Sequence, residues 1–232
     1  MPRSPRTPRR SLNRPRLQRL QVPPPAGRLY AIVDEGACAA AGRAPLDVAR
    51  SFLSAGARLL QLRFKTLPSG AFLDLARVIL EEAKSADATI IINDRADVAA
   101  LSDAPGLHVG QADLLPLDAR KVIGSSKILG LSTHTRDQWE RALGEPISYV
   151  AIGPVFGSVT KQTGYDAVGL DTVRQISRAA AARGVPTVGI GGITIENAGS
   201  VIVAGASSVA VISELLAGDP ERRCREFLRA LK

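Results

Sequence analysis

The chain has 232 residues, 45% of them hydrophobic and 22% charged, which is ordinary for a globular protein and enough to bury one sizeable core. Its formal charge of +8 belongs to one end: residues 1–27 hold seven arginines and no acid, and subtracting those seven from +8 leaves +1 for the remainder. A broad nucleic-acid footprint on the folded part is thereby excluded, and the absence of any apolar run of about 18 residues excludes a membrane-spanning helix.

Residues 1–27 also contain seven prolines, among them Pro23, Pro24 and Pro25, so a long helix is impossible there and little apolar surface can be buried. They are expected to form an Arg/Pro-rich disordered tail ahead of one domain spanning 28–232. An extended start, an anion-binding arm and a targeting peptide are the readings of this tail; the lack of an apolar segment weakens the last.

From Arg28 onward, β-branched or leucine-rich runs alternate with alanine-rich helical stretches, the pattern of parallel β/α units. Strands are expected at 29–33, 59–63, 89–93, 107–110, 128–132, 149–153, 187–191 and 208–212. Helices are expected at about 45–56, 69–85, 95–102, 117–123, 135–143, 168–183, 194–204 and 219–231. Eight alternations predict an α/β fold, a single (β/α)8 TIM barrel. The competing doubly wound open sheet lacks its GxGxxG fingerprint after the first strand. Cys38 and Cys224 lie far apart in no metal-ligand spacing, as expected of reduced thiols in a cytoplasmic protein.

Arg63, Asn93, Gly110, Ser132, Gly153, Gly191 and Ser213 fall at or just beyond the carboxyl ends of these strands, which a barrel gathers around one mouth. In the run Gln61-Leu62-Arg63-Phe64-Lys65, period-two alternation puts Gln61, Arg63 and Lys65 on one side, a set suited to a pyrophosphate. After the third strand, Asp94 can ligate a hard divalent cation and Asn93 can donate to a phosphate or heterocycle, although an Asn-Asp pair there also serves as a helix cap. After the fourth, Asp113 supplies a second carboxylate at a mouth with few other acids, while His108 reads as a packed, hydrogen-bonded core residue.

Ser132 or Thr133 can donate to a developing anion or leaving group, and no triad partner for a hydrolase is evident. The run 153–164 combines small residues, the hydroxyls of Ser158 and Thr160, and Lys161, and can wrap an anionic group; it lacks the GxxxxGK[ST] order of an ATP-binding loop. Gly191-Gly192 and Ile212-Ser213 follow the last two strands, where such barrels often hold a phosphate. Composition and spacing reach a phosphate-ligand barrel and leave isomerase, lyase and transferase chemistry open.

Seven motifs occur in order: QLR-x-K from Gln61, the Asn93-Asp94 pair, H-x-G-Q-x-D-L from His108, G-x-S-x-H from Gly130, GP-x-F from Gly153 with Thr160-Lys161, IGGI from Ile190, and V-x-S ending at Ser213. Through them the chain resembles the thiamine phosphate synthase family over Leu29–Leu231.

That resemblance implies a transferase joining a pyrimidine diphosphate to a thiazole phosphate with release of pyrophosphate. Gln61, Arg63, Lys65 and Asn93 would contact the pyrimidine diphosphate, Asp94 and Asp113 would hold Mg2+, and Ser132 and Lys161 would lie at the leaving pyrophosphate. Ser158, Thr160, Gly191, Ile212 and Ser213 would hold the thiazole phosphate. The catalytic group would be Ser132, Lys161 and Arg63, and the mechanism dissociative.

Phe64 stands where the family usually carries a charged residue, commonly glutamate, and Ser158 where threonine is usual; period-two alternation turns Phe64 away from the lumen. A thiazole tautomerase of the same fold is the rival reading, weakened by the retained pyrophosphate and magnesium residues. Small barrels of this sort often dimerise, so a homo-oligomer remains open.

Overall fold

A computed structural model describes residues 27–157 and 164–232. Eight parallel strands close on themselves in sequence order: β1 (Leu29–Asp34), β2 (Leu59–Arg63), β3 (Thr89–Asn93), β4 (Gly106–Val109), β5 (Ile128–Thr133), β6 (Tyr149–Ile152), β7 (Thr187–Ile190) and β8 (Ser208–Val211). The expected (β/α)8 barrel is the observed one. All eight expected strands are present, with ends displaced by no more than one residue.

The helices are α1 (Glu35–Ala40), α2 (Pro45–Ala55), α3 (Ser69–Ser85), α4 (Ala96–Leu101), α5 (Pro116–Ile123), α6 (Arg136–Ala142), α7 (Gly169–Ala181), α8 (Ile195–Val203) and α9 (Pro220–Ala230). Two elements have no counterpart in the sequence reading: α1, and a short 3-10 helix at Ser213–Leu216. Both are short, six and four residues, too short to show a period. The Asp34 carboxylate starts α1 by accepting from Ala37 N at 2.9 Å. None of the helices described is long and apolar enough to cross a membrane.

Apolar residues segregate into two layers. The larger lies between strands and helices, where Leu60, Leu62, Phe52, Ile79, Ile92 and Phe227 are buried. The smaller fills the barrel itself with Tyr30, Ile32, Leu59, Ile91, Ile128 and Tyr149. Alternation along a strand makes this division, because successive side chains point to opposite faces. Cys38 and Cys224 are buried in the outer layer and unpaired.

Large rings inside so narrow a barrel require small neighbours. Gly130, in β5, has an ordinary backbone conformation, so its need is for space: a Cβ there would run into the Tyr149 ring and lie 2.5 Å from His108 Nδ1. Gly106 is similar, with Ile128 Cβ 2.8 Å from the place its Cβ would take. Gly130→Ala should therefore destabilise the protein by about 1–3 kcal/mol through overpacking. Gly70→Ala, in α3 with nothing within 4 Å, should be neutral or stabilising by up to about 1 kcal/mol. Urea denaturation of the two variants checks the contrast; equal effects would contradict it.

Candidate active site

The carboxyl ends of β1 to β4 build a cluster of opposite charges. Strand register sets Asp34 of β1 beside Arg63 of β2, and the guanidinium Nη1 forms an ion pair with Asp34 Oδ2 in a partly buried position. Asp34 spends its other oxygen on the start of α1, so the carboxylate ties Arg63 to a fixed backbone. Two residues further along the chain, Lys65 Nζ forms an ion pair with Asp94 Oδ2.

Asp94 sits just past β3 with φ +62, a left-handed conformation that asparagine and aspartate tolerate better than most residues. Its N–H donates to the His108 carbonyl at 2.7 Å, pinning it to β4. It does not cap the following helix; Arg95 occupies that position without a side-chain cap. The capping role open to the Asn-Asp pair is thus not the one adopted.

Asp113 reaches the same place from the loop after β4, accepting from Gly110 N at 2.7 Å. Its carboxyl is pushed above the usual carboxylate range, first by burial and then by hydrogen bonding to the neighbouring Asp94 carboxyl. Two acids held together in this way, with one reluctant to ionise, fit a hard divalent cation, which would relieve the repulsion between them. Asp94 and Asp113 are the residues that would hold it.

The expectation of few other acids at this mouth is corrected by Asp34, and by Glu35, which accepts from Thr66 N and Thr66 Oγ1 at 2.9 Å each. Both sit at the first β/α junction. Asp34 follows Ile32 by two residues, so extending period two along β1 would have found it.

The remaining candidates divide by depth and by loop. Asn93 is buried at the end of β3. Gln61 is buried in the barrel and donates from Nε2 to Tyr30 Oη at 2.8 Å. Ser132 ends the inward-facing row of β5, with its Oγ 2.8 Å from His108 Nε2, and Gln111 donates to the Ser132 carbonyl at 2.7 Å. His108 is the buried, hydrogen-bonded residue expected, but its pairing with Ser132 was not anticipated. Its other nitrogen lies 2.8 Å from the Tyr149 hydroxyl, in the place where a hydrolase triad would have a carboxylate.

His134 is packed: its Nδ1 donates to the Gly153 carbonyl at 2.7 Å and its ring stacks on Tyr165. Thr135 caps the start of α6, its Oγ1 accepting from Gln138 N at 3.4 Å.

On the far side of the mouth, Gly191 and Gly192 have φ of +98 and +64. A Cβ on Gly191 would lie 2.7 Å from Pro154 Cα, and one on Gly192 would lie 2.7 Å from the Gly157 carbonyl oxygen. Glycine is therefore needed twice over, for conformation and for close approach. Asn197 donates to the Gly192 carbonyl at 2.9 Å and completes a capping box with Thr194, fixing this turn to the start of α8. Ile212 and Ser213 open the short 3-10 helix after β8. Ser158, Thr160 and Lys161 lie outside the described residues.

A sequence model of the family described as thiamine monophosphate synthase matches residues 29–215. The chain belongs to the thiamine phosphate synthase family. A thiamine-phosphate synthase of Roseiflexus castenholzii is 40% identical over 207 residues, covering 88% of this chain and 89% of that one. Another, of Koribacter versatilis, is 42% identical over 209 residues, covering 88% and 95%. The solved structure of a thiamine phosphate pyrophosphorylase from Pyrococcus furiosus superposes with a TM-score of 0.79 at 27% identity, covering 88% of this chain and 95% of that one.

Membership makes the chain a transferase of thiamine biosynthesis acting on small molecules. Phe64, which departs from the usual family residue, is 5% exposed and packs at 4.8 Å from the Phe72 ring, in the outer apolar layer. Its aromatic side chain serves the interface between β2 and α3 and leaves the mouth untouched.

The raised Asp113 carboxyl carries a sign for stability. The folded state holds that proton more tightly than the unfolded chain, so Asp113 costs stability as pH rises from the ordinary carboxylate range through its raised value. In chelator-treated protein, Asp113→Asn should accordingly unfold at a higher temperature near neutral pH. The difference should shrink at acid pH, where the carboxyl is protonated in both states. A lower midpoint for the variant at neutral pH would contradict this.

Proposed function

We propose that this protein condenses 4-amino-2-methyl-5-hydroxymethylpyrimidine diphosphate with 4-methyl-5-(2-phosphoethyl)thiazole, or its carboxylate form, to give thiamine phosphate and pyrophosphate, with CO2 as a further product when the carboxylate form reacts. The observation that carries the reading is the charge cluster at the mouth: Arg63 and Lys65, each held by a carboxylate, beside the adjoining Asp94 and Asp113 carboxyls. A diphosphate needs fixed cations and a counter-ion, and both provisions occur within the first four strand ends.

The reaction breaks the bond between the pyrimidine methylene carbon and the diphosphate oxygen, and the electron pair leaves with pyrophosphate. A pyrimidine methyl cation results, and the thiazole nitrogen lone pair forms the new C–N bond. Charge grows on the leaving oxygens in the transition state, where preorganised cations stabilise most. Arg63 and Lys65 supply two of them, and Lys161, outside the described residues, is assigned the third. Asp94 and Asp113 would hold Mg2+, which would add further positive charge at the diphosphate.

Gln61 and Asn93 are assigned to the pyrimidine diphosphate, and Ser132 is assigned a hydrogen bond at the leaving group. Ser158, Thr160, Gly191, Ile212 and Ser213 are assigned to the thiazole phosphate. The twin glycines, whose backbone admits close approach, support this, as does the short helix that Ser213 begins after β8. No protein nucleophile or strong base is required. We assign the activity to the cytoplasm, where two buried, unpaired cysteines are at home.

Purified protein given both substrates and magnesium should form thiamine phosphate and pyrophosphate, and omission of either substrate or of magnesium should abolish product. Arg63→Ala should lower kcat/KM by about 100-fold or more, as loss of a charge-stabilising donor does. Folded protein that binds thiazole phosphate without forming product would overturn the reading in favour of a tautomerase.

A further inference from the structure

Inside the barrel five polar side chains make one continuous chain of hydrogen bonds. Gln61 Nε2 lies 2.8 Å from Tyr30 Oη, which is 3.0 Å from Tyr149 Oη, which is 2.8 Å from His108 Nδ1; His108 Nε2 then lies 2.8 Å from Ser132 Oγ. The chain crosses the lumen from β2 through β1, β6 and β4 to β5, and ends at a serine on the mouth. All members except Ser132 are buried. Burial raises both tyrosine hydroxyls far above their ordinary range, so each keeps its proton and has one hydrogen to give.

Those two facts fix a direction. The Gln61 amide nitrogen only donates, so Tyr30 accepts from it and gives its own hydrogen to Tyr149. Tyr149 in turn gives its hydrogen to His108 Nδ1, which must be the unprotonated nitrogen. The His108 proton is then on Nε2, and Ser132 Oγ accepts it. Run the other way, Tyr30 would accept twice and leave its own hydrogen buried without a partner, at a cost.

We infer that this buried chain is a polarised positioning device: Gln61 sets its direction, His108 occupies Ser132 as an acceptor, and the serine hydrogen is left to point outward as a donor to an anion at the mouth. The inference deepens the proposed function at Ser132 and rests on that reading for the identity of the anion. Gly130 gives independent support, since this inward-facing glycine leaves the space that the Tyr149–His108 pair occupies. His108 and Tyr149 therefore act through Ser132 and need not touch substrate.

The chain has two histidines, which makes the test direct. His134 must carry its proton on Nδ1 to donate to the Gly153 carbonyl, so the two rings should show opposite tautomers. In full-length protein labelled with 15N-histidine and free of substrates, two-bond proton–nitrogen correlation should show His108 protonated on Nε2. A His134→Gln variant assigns the signals.

Gln61→Met, which removes the directing donor, should convert His108 to a mixture of tautomers. A wild-type His108 protonated on Nδ1, or a single unchanged tautomer in Gln61→Met, would overturn the inference whether or not the protein makes thiamine phosphate. In turnover, Tyr149→Phe should lower kcat by roughly tenfold with little change in KM, less than loss of a whole donor costs. It should add nothing in a Ser132→Ala background. Additive effects would show that Tyr149 acts merely on the fold and would also overturn the inference.

Discussion

Closure of the barrel is the constraint on which the rest depends. Eight strands paired in sequence order leave each with one face to the lumen and one to the helices, and the last inward position of a strand opens on the mouth. Asp34, Arg63, Asn93 and Ser132 occupy such positions on four strands, spread over about a hundred residues of chain. Deeper inward positions hold Tyr30, Gln61, His108 and Tyr149, all buried. The same alternation that packs the barrel therefore sorts its polar residues by depth, with Asp34 and Arg63 charged at the rim and a hydrogen-bonded set below it.

Charge at the rim is arranged in mutual restraint. Asp34 holds Arg63, and Asp94 holds Lys65, so neither cation swings freely before a substrate arrives. Under the proposed function a diphosphate would supply oxygens that compete for both side chains, and a divalent cation would replace the partner that Asp94 loses. Such an exchange would turn a self-neutralised cluster into a binding site, and preorganisation of that kind is what charge stabilisation in a transition state requires.

Much of this was legible in the sequence because it depends on period and position. Eight apolar runs with polar residues at their ends gave the barrel, the mouth and the outward turn of Phe64. What could not be read depended on register between strands. Ser132 and His108 are 24 residues apart and meet because His108 stands opposite Gly130, two residues before the serine. Lys65 meets Asp94 through the alignment of Gln61 with Ile91. Asp34 obeys the same alternation, one residue beyond the expected end of its strand. Short elements such as α1 carry no period and left no signal.

Joint binding of a divalent cation by Asp94, Asp113 and a diphosphate can be measured by titrating Mn2+ into the chelator-treated protein with and without inorganic pyrophosphate, following the electron paramagnetic resonance of free Mn2+. Binding should be weak to the protein alone and much tighter to the protein with pyrophosphate than to pyrophosphate by itself, and that gain should be lost in Asp94→Asn and Asp113→Asn. Equal Mn2+ binding by the wild-type protein and both variants in the presence of pyrophosphate would contradict joint binding.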